Sequence, residues 1–169
     1  MIVGLDLSIN STGVTVRDEN NTFYYLIVSK ATKKTLEKIE SNKLKPLNII
    51  IYNKEGDINR DLEQIGNNII NILSLYKVDK VVIEDVALGA IHSRSLIDLT
   101  GLNYWVRCLL TKEGYKFETI PPTKWKKELL GNGQATKDII TDAWKRITGV
   151  EVDYNKLDDV ADSYFLSCC

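Results

Sequence analysis

Acidic side chains stand at three separated places in the sequence where their surroundings are mainly apolar. Asp6 lies inside the apolar run Ile2–Ser8, and Glu84 ends the apolar run Lys80–Glu84. An unpaired carboxylate is costly to bury, so a cation or a set of hydrogen bonds must compensate it. Taken singly, each residue also has a simpler explanation, because Asp6 could cap a turn and Glu84 could reach solvent at a strand end.

The third place is the acidic group Asp158, Asp159 and Asp162 near the end of the chain. Residues three or four apart share one helix face, so either Asp158 or Asp159 can present a carboxylate beside Asp162. Acidic residues in a first helical turn also meet the helix dipole favourably, which explains the group without any metal. Together, the three places predict a hard-oxygen site for Mg²⁺ or Mn²⁺. Two such ions about 3.5–4 Å apart can promote phosphodiester hydrolysis.

Apolar periodicity along the chain predicts the elements that would position these carboxylates. β-branched and aromatic runs bounded by turn residues predict strands, and apolar residues three or four apart predict helices. The predicted strands are 2–8, 13–17, 22–28, 80–84 and 115–120, with a short extra strand at 47–52. The predicted helices are 57–76, 95–112, 123–130, 135–147 and 157–169.

This order of elements predicts an α/β fold with a five-stranded mixed sheet flanked by helices, three antiparallel strands being followed by two parallel ones. The first strand should lie beside strand 80–84, which would place Asp6 and Glu84 on adjacent central strands. We expect a single domain over residues 1–169. Within it, residues 31–46 form a lysine-rich excursion that we expect to be mobile, solvated and partly helical.

The composition is that of an ordinary globular domain, with 44% hydrophobic and 27% charged residues. No apolar run approaches the ~20 residues that a bilayer-spanning helix needs, and the N-terminus has no signal-peptide pattern. The three cysteines lack the spacing of metal ligands. We therefore expect a reducing, cytoplasmic location and no membrane partner.

The formal net charge of −1 is low for a dedicated DNA-binding protein. Basic residues are nevertheless concentrated in two segments, 30–45 and 124–146. An acidic metal site also subtracts from the total without repelling DNA once a cation is bound. Net charge therefore does not exclude nucleic acid as the substrate.

Four segments, in order along the chain, resemble the RuvC-like Holliday-junction resolvases of the ribonuclease H-like superfamily. They are GLDLSINSTGVTV at 4–16, VVIEDVALG at 81–89, WKKELLGNGQATKDII at 125–140 and LDDVADSYFLS at 157–167. The third segment carries the family's K-x-x-x-x-G-x-G-x-A-x-K pattern, which runs from Lys126 to Lys137. The fourth carries a D-x-x-D pattern on Asp159 and Asp162.

The resemblance implies a ribonuclease H-like fold and a Mg²⁺-dependent endonuclease, in which Mn²⁺ substitutes and two ions occupy each site. It implies a homodimer that makes paired, symmetric nicks in four-way junctions or related branched DNA. Lys126 and Lys137 would lie near the scissile phosphate, with Lys137 taking part in catalysis. The implied metal ligands, which are also catalytic, are Asp6, Glu84, Asp159 and Asp162.

Some positions depart from the family or are left open by it. An aromatic residue three positions after the second-motif glutamate is typical, whereas this sequence has Ala87, so cleavage of other branched structures is plausible. The excursion at 31–46 is longer than the corresponding stretch, and its lysines either extend a DNA surface or are simply solvated. We expect Arg94 to contact DNA and His92 to be a surface residue. The family register favours Asp159 over Asp158 as the ligand.

Three other functions share part of this pattern. A ribonuclease H-like nuclease could use the same carboxylates on a flap or an RNA–DNA hybrid. A non-catalytic DNA-binding module would not need all four carboxylates. An ATP-binding protein of the actin and sugar-kinase type needs two domains, for which 169 residues are too few. Cleavage of labelled branched and hybrid substrates, with and without Mg²⁺, separates these possibilities.

Overall fold

The computed structural model describes residues 1–86 and 94–169. Within these residues, the strands are β1 (Ile2–Asp6), β2 (Ser11–Arg17), β3 (Thr22–Val28), β4 (Leu47–Ile51), β5 (Lys80–Glu84) and β6 (Phe117–Ile120). The helices are α1 (Lys33–Glu40), α2 (Ile58–Leu73), α3 (Arg94–Lys112), α4 (Pro122–Leu130), α5 (Lys137–Thr148) and α6 (Leu157–Leu166). No helix in the described part of the chain is both long and apolar enough to span a membrane.

The strands form one mixed sheet in the order β4-β3-β2-β1-β5-β6. As predicted, β1, β2 and β3 are antiparallel neighbours, and β5 and β6 follow in parallel. The prediction of five strands was wrong, because β4 joins the sheet by pairing in parallel with β3. Parallel neighbours need a crossover connection, and helix α1 within the supposed excursion supplies it.

The excursion at 31–46 is partly helical, as expected, and it also contributes to the core. Helix α1 begins after Thr32, whose side chain accepts a hydrogen bond from the Thr35 backbone N–H. Leu44 is 2% exposed and packs with Leu47 of β4. The segment is therefore more than a solvated loop, although its lysines are exposed apart from Lys38, which is partly buried.

The centre of the sheet confirms the predicted pairing of β1 with β5. The parallel register runs from Ile2 opposite Lys80 to Leu5 opposite Ile83. One further step brings the two strands to their final residues, Asp6 and Glu84. Carboxyl ends of neighbouring parallel strands are where α/β folds place their sites.

Helices cover both faces of the sheet. One core includes side chains of α2 and α3, and the other includes those of α4, α5 and α6. Two glycines bring α6 unusually close to the strands. A Cβ at Gly4 would lie 1.9 Å from the Ser163 carbonyl oxygen, and one at Gly13 would lie 2.0 Å from the Asp159 carbonyl oxygen. The absent side chains thus allow α6 to lie directly against β1 and β2.

Candidate active site

The strand alternation places Asp6 and Glu84 on the face of the sheet that α6 covers. Gly4 contacts α6 and Val82 belongs to the core on that face. Side chains two residues apart point the same way along a strand, so Asp6 and Glu84 follow Gly4 and Val82. Asp159 and Asp162 of α6 are only 9% and 8% exposed.

The charges of Asp159, Asp162 and Glu84 all act on Asp6, which indicates that these carboxylates lie around it. Burial raises the pKa of Asp6 well above its ordinary value, and the negative charges of Asp162, Asp159 and Glu84 raise it further. Burial, followed by the charge of Glu84, raises the pKa of Asp162 to about 7. Burial also raises the pKa of Asp159 to about 6, although the nearby Ser11 hydroxyl opposes this shift. Several carboxylates thus lie together in a buried place. A bound cation would offset both their burial and the repulsion between them.

Hydrogen bonds fix the position of Glu84. The Trp125 Nε1–H donates to Glu84 Oε2 at 2.7 Å. Trp125 is fully buried and stacks on Phe165 of α6, with ring centroids 6.0 Å apart. The Asn103 side chain donates to the Glu84 backbone carbonyl oxygen at 3.1 Å. Burial raises the pKa of Glu84, whereas the Trp125 hydrogen bond and Lys126 lower it.

The two lysines of the third motif lie beside the carboxylates. Lys137 begins α5 and forms an ion pair with Asp158. That hydrogen bond raises the pKa of Lys137, and the charges of Asp159 and Asp6 act in the same direction. The Lys126 ammonium lies 5.3 Å from the centroid of the Trp125 ring. Its charge lowers the pKa of Asp162, so both lysines act on the acidic cluster.

The structure places Asp158 and Asp159 differently, although the helical pattern allowed either of them beside Asp162. Asp158 is partly exposed and forms an ion pair with Lys137. Asp159 is buried on the side facing β2, and its charge acts directly on Asp6. Asp159, rather than Asp158, therefore lies with the buried carboxylates.

The donor set suits a hard divalent cation, because it consists of carboxylate oxygens. Asp162 Oδ1 is buried and has no hydrogen-bond partner in the described part of the chain, so its lone pairs are available to a cation. Nowhere in residues 1–86 and 94–169 do three or more His, Cys, Asp or Glu side chains already surround one metal position. The carboxylates therefore lie near one another, but in the described residues they do not form a complete ligand set around one metal position.

Not every predicted residue joins the cluster. Arg94 is exposed at the first residue of α3. Ala87 and His92 lie outside the described residues. Trp125 was not among the predicted site residues, since an aromatic residue in a short helix gives no sign that its N–H binds a carboxylate. The sequence does offer one overlooked signal for the position of α6. Gly4 and Gly13 lie inside strands, and a glycine there often marks the close approach of another backbone.

The chain is similar to one family of known proteins over almost its full length. The family model for "Crossover junction endodeoxyribonuclease RuvC" matches residues 2–169. A protein of that name from Ehrlichia chaffeensis is 26% identical over 168 residues, covering 99% of this chain and 94% of the relative. Another from Sulfurovum sp. is 28% identical over 106 residues, or 62% of this chain. That second match spans 65% of the relative, which is less than two thirds of its length.

Solved structures share the fold at low sequence identity. RuvC of Thermus thermophilus gives a TM-score of 0.62 at 16% identity, covering 98% of this chain and 91% of that chain. The same protein in complex with Holliday junction substrate gives 0.63 at 16% identity, covering 98% and 90%. The yeast mitochondrial Holliday junction resolvase Ydc2 gives 0.52 at 17% identity, covering 98% and 75%.

Proposed function

Because the chain belongs to the RuvC family of crossover junction endodeoxyribonucleases, we propose that it resolves Holliday junctions and related branched DNA by hydrolysing phosphodiester bonds. The observation that carries this proposal is the convergence of acidic side chains from β1, β5 and α6 at one buried place. Two lysines border that place. Buried carboxylates with raised pKa values are typical of functional sites. In a purely structural domain, such a cluster would only lower the stability of the fold.

We propose that the cluster binds divalent cations, Mg²⁺ being the natural one and Mn²⁺ a substitute, with two ions per site. The residues that would hold them are Asp6, Glu84, Asp159 and Asp162. Bound cations would supply an activated water and neutralise charge on the phosphate. Asp162 Oδ1 accepts no hydrogen bond in the described part of the chain, and this and the raised pKa values of Asp159 and Asp162 support the assignment.

The chain's own cations and hydrogen bonds support the reaction around that centre. Lys137 and Lys126 would attract the scissile phosphate and offset negative charge as it develops. Asp158 holds the Lys137 ammonium at the edge of the cluster until a phosphate replaces it as partner. Trp125 keeps the Glu84 carboxylate in one orientation, as a partner of a ligating carboxylate must.

We further propose that the protein acts as a symmetric homodimer. A four-way junction presents two equivalent strands, and an isologous dimer places two sites against them. Helix α3 offers a surface for this contact, since Ile97, Tyr104 and Trp105 are 64%, 61% and 39% exposed. A cleft of about 420 Å³ lies between α2 and α3 beside Tyr104 and Trp105. Sedimentation showing only monomer, free and junction-bound, would remove the paired-nick mechanism.

The test of the function is cleavage of end-labelled four-way, three-way, flap and RNA–DNA hybrid substrates, each with and without Mg²⁺. We expect Mg²⁺-dependent cutting of the four-way junction at paired, symmetric positions. Faster cutting of the flap or of the hybrid would assign the site to that substrate instead. Binding without any cutting in Mg²⁺ or Mn²⁺ would make the chain a non-catalytic DNA-binding module.

A further inference from the structure

A basic groove lies beside the candidate active site. Its volume is about 440 Å³, and it is bounded by the β1–β2 turn, the end of β3, helix α1 and the segment before α6. We call it the α1 groove. Its lining includes the polar residues Asn10, Thr35 and Asn155. Among the described residues that line it, three are lysines (Lys30, Lys54 and Lys156) and none is acidic.

Specific contacts hold the walls of the α1 groove in place. The Lys38 ammonium donates to the backbone oxygen and to Oδ2 of Asp153, at 2.6 and 2.7 Å. These bonds attach α1 to the segment that leads into α6. On the opposite wall, the Lys54 ammonium donates to Asn10 Oδ1 at 3.1 Å. The groove therefore joins parts of the chain that are distant in sequence.

The α1 groove reaches the edge of the carboxylate cluster. Lys156, which lines the groove, is the residue before α6, and Asp159 lies in the first turn of that helix. Asn10 lines it too and belongs to the turn that follows Asp6 at the end of β1. The groove therefore lies next to the ends of two elements that contribute carboxylates to the cluster. An elongated ligand lying in the groove would thus be led towards the site of phosphodiester cleavage.

The positive charge of the α1 groove is available to a ligand. Among the ion pairs of residues 1–86 and 94–169, none engages Lys30, Lys54 or Lys156. By contrast, Lys38 and Lys137 are paired with aspartates. The hydroxyl and amide groups of the lining add hydrogen-bond donors. Ammonium groups interspersed with such donors are the usual ligands of nucleic-acid phosphates.

We propose that the α1 groove binds the phosphate backbone of one duplex arm of the branched DNA and directs it towards the carboxylate cluster. This proposal rests on the proposed function for its substrate. It divides the lysines of the 30–45 segment into two groups. Lys30 contacts DNA, whereas Lys43 and Lys45 are exposed outside the groove and do not.

The test compares two double variants of the full-length chain that remove the same charge. The groove variant combines Lys30→Ala and Lys54→Ala, which removes two lysines from the groove. The control variant combines Lys43→Ala and Lys45→Ala, which removes two lysines outside it. Binding to a four-way junction and to plain duplex is measured in Ca²⁺ over a range of salt concentrations. Each lost phosphate contact lowers the salt slope by about 0.9, so the groove variant should lose about 2. Its affinity should fall roughly 10- to 60-fold near ~0.1 M salt.

The control variant should keep the salt slope, the affinity and the cleavage rate of the wild type. Equal salt slopes in the two double variants would overturn the groove proposal. A wild type that binds DNA through these lysines but cuts no substrate would overturn the proposed function while leaving the groove in place. The salt slope of binding to plain duplex reports the groove lysines and does not depend on cleavage. It therefore distinguishes a failure of the groove proposal from a failure of the proposed function.

Discussion

Replacing Asp162 with asparagine should stabilise the metal-free protein while abolishing its cleavage activity. The pKa of Asp162 is raised from 3.8 to about 7 by burial and by Glu84. Each unit of such a shift corresponds to about 1.36 kcal/mol, so the ionised carboxylate costs the fold at most about 4 kcal/mol. Water and local relaxation recover part of that cost, and the buried amide needs hydrogen bonds of its own. We expect a net gain of about 1–2 kcal/mol at pH 8.

The sign of the pH dependence follows from which state holds the proton. Between about pH 4 and pH 7, folded Asp162 keeps a proton that the unfolded chain releases. The unfolding free energy of the metal-free wild type therefore falls as pH rises through this range. The advantage of Asp162→Asn should be small at pH 5 and reach its full size at pH 8.

The assay is thermal and urea unfolding in EDTA at pH 5 and pH 8, repeated at pH 8 with Mg²⁺. Mg²⁺ should stabilise the wild type, because it binds the folded state, and should stabilise Asp162→Asn less. Asp158→Asn is the matched control, since Asp158 is already paired with Lys137 and its loss should bring no gain in EDTA. An Asp162→Asn variant that is less stable than the wild type at pH 8 in EDTA would refute the claim that the ionised Asp162 carboxylate destabilises the metal-free fold.

Three further predictions concern single side chains around the cluster. Asp159→Asn should lose cleavage by more than 100-fold, whereas Asp158→Asn should retain it within about 10-fold; the reverse order in single-turnover assays would show Asp158 to be the ligand. Lys137→Ala should slow single-turnover cleavage by on the order of 100-fold with little change in junction affinity in Ca²⁺, and equal losses in both would make Lys137 an ordinary phosphate contact. Trp125→Phe should raise the Mg²⁺ concentration for half-maximal cleavage about 10-fold, and an unchanged Mg²⁺ midpoint would mean that its hydrogen bond to Glu84 does not position the carboxylate.

The sequence was sufficient to predict the central part of the fold because its signals are local. Asp6 and Glu84 end short apolar strands, and the parallel pairing of those strands follows from the order of the elements. The predicted helix with Asp159 and Asp162 is also present, ending at Leu166 rather than at residue 169. In each case, a carboxylate lies within or at the end of an apolar pattern. Because burying it does not stabilise the core, its position indicates a function.

Features that depend on distant contacts could not be predicted in the same way. Strand β4 was recognised as a strand, but its place beside β3 depends on the crossover through α1. The hydrogen bond from Trp125 to Glu84 joins residues 41 positions apart. The walls of the α1 groove meet through Lys38 and Asp153, which are 115 positions apart. No periodic pattern within one segment encodes contacts of this kind.

The most direct test of the central claim is single-turnover cleavage of a labelled four-way junction by the wild type and by Asp6→Asn, in Mg²⁺ and in EDTA. Asn keeps the shape of Asp6 but is a weaker ligand for a hard cation. We expect the wild type to make paired, symmetric cuts in Mg²⁺ but not in EDTA, and the variant to bind the junction without cutting it. Cutting by the wild type in EDTA, or near-normal cutting by Asp6→Asn in Mg²⁺, would contradict a cation-dependent site built on these carboxylates.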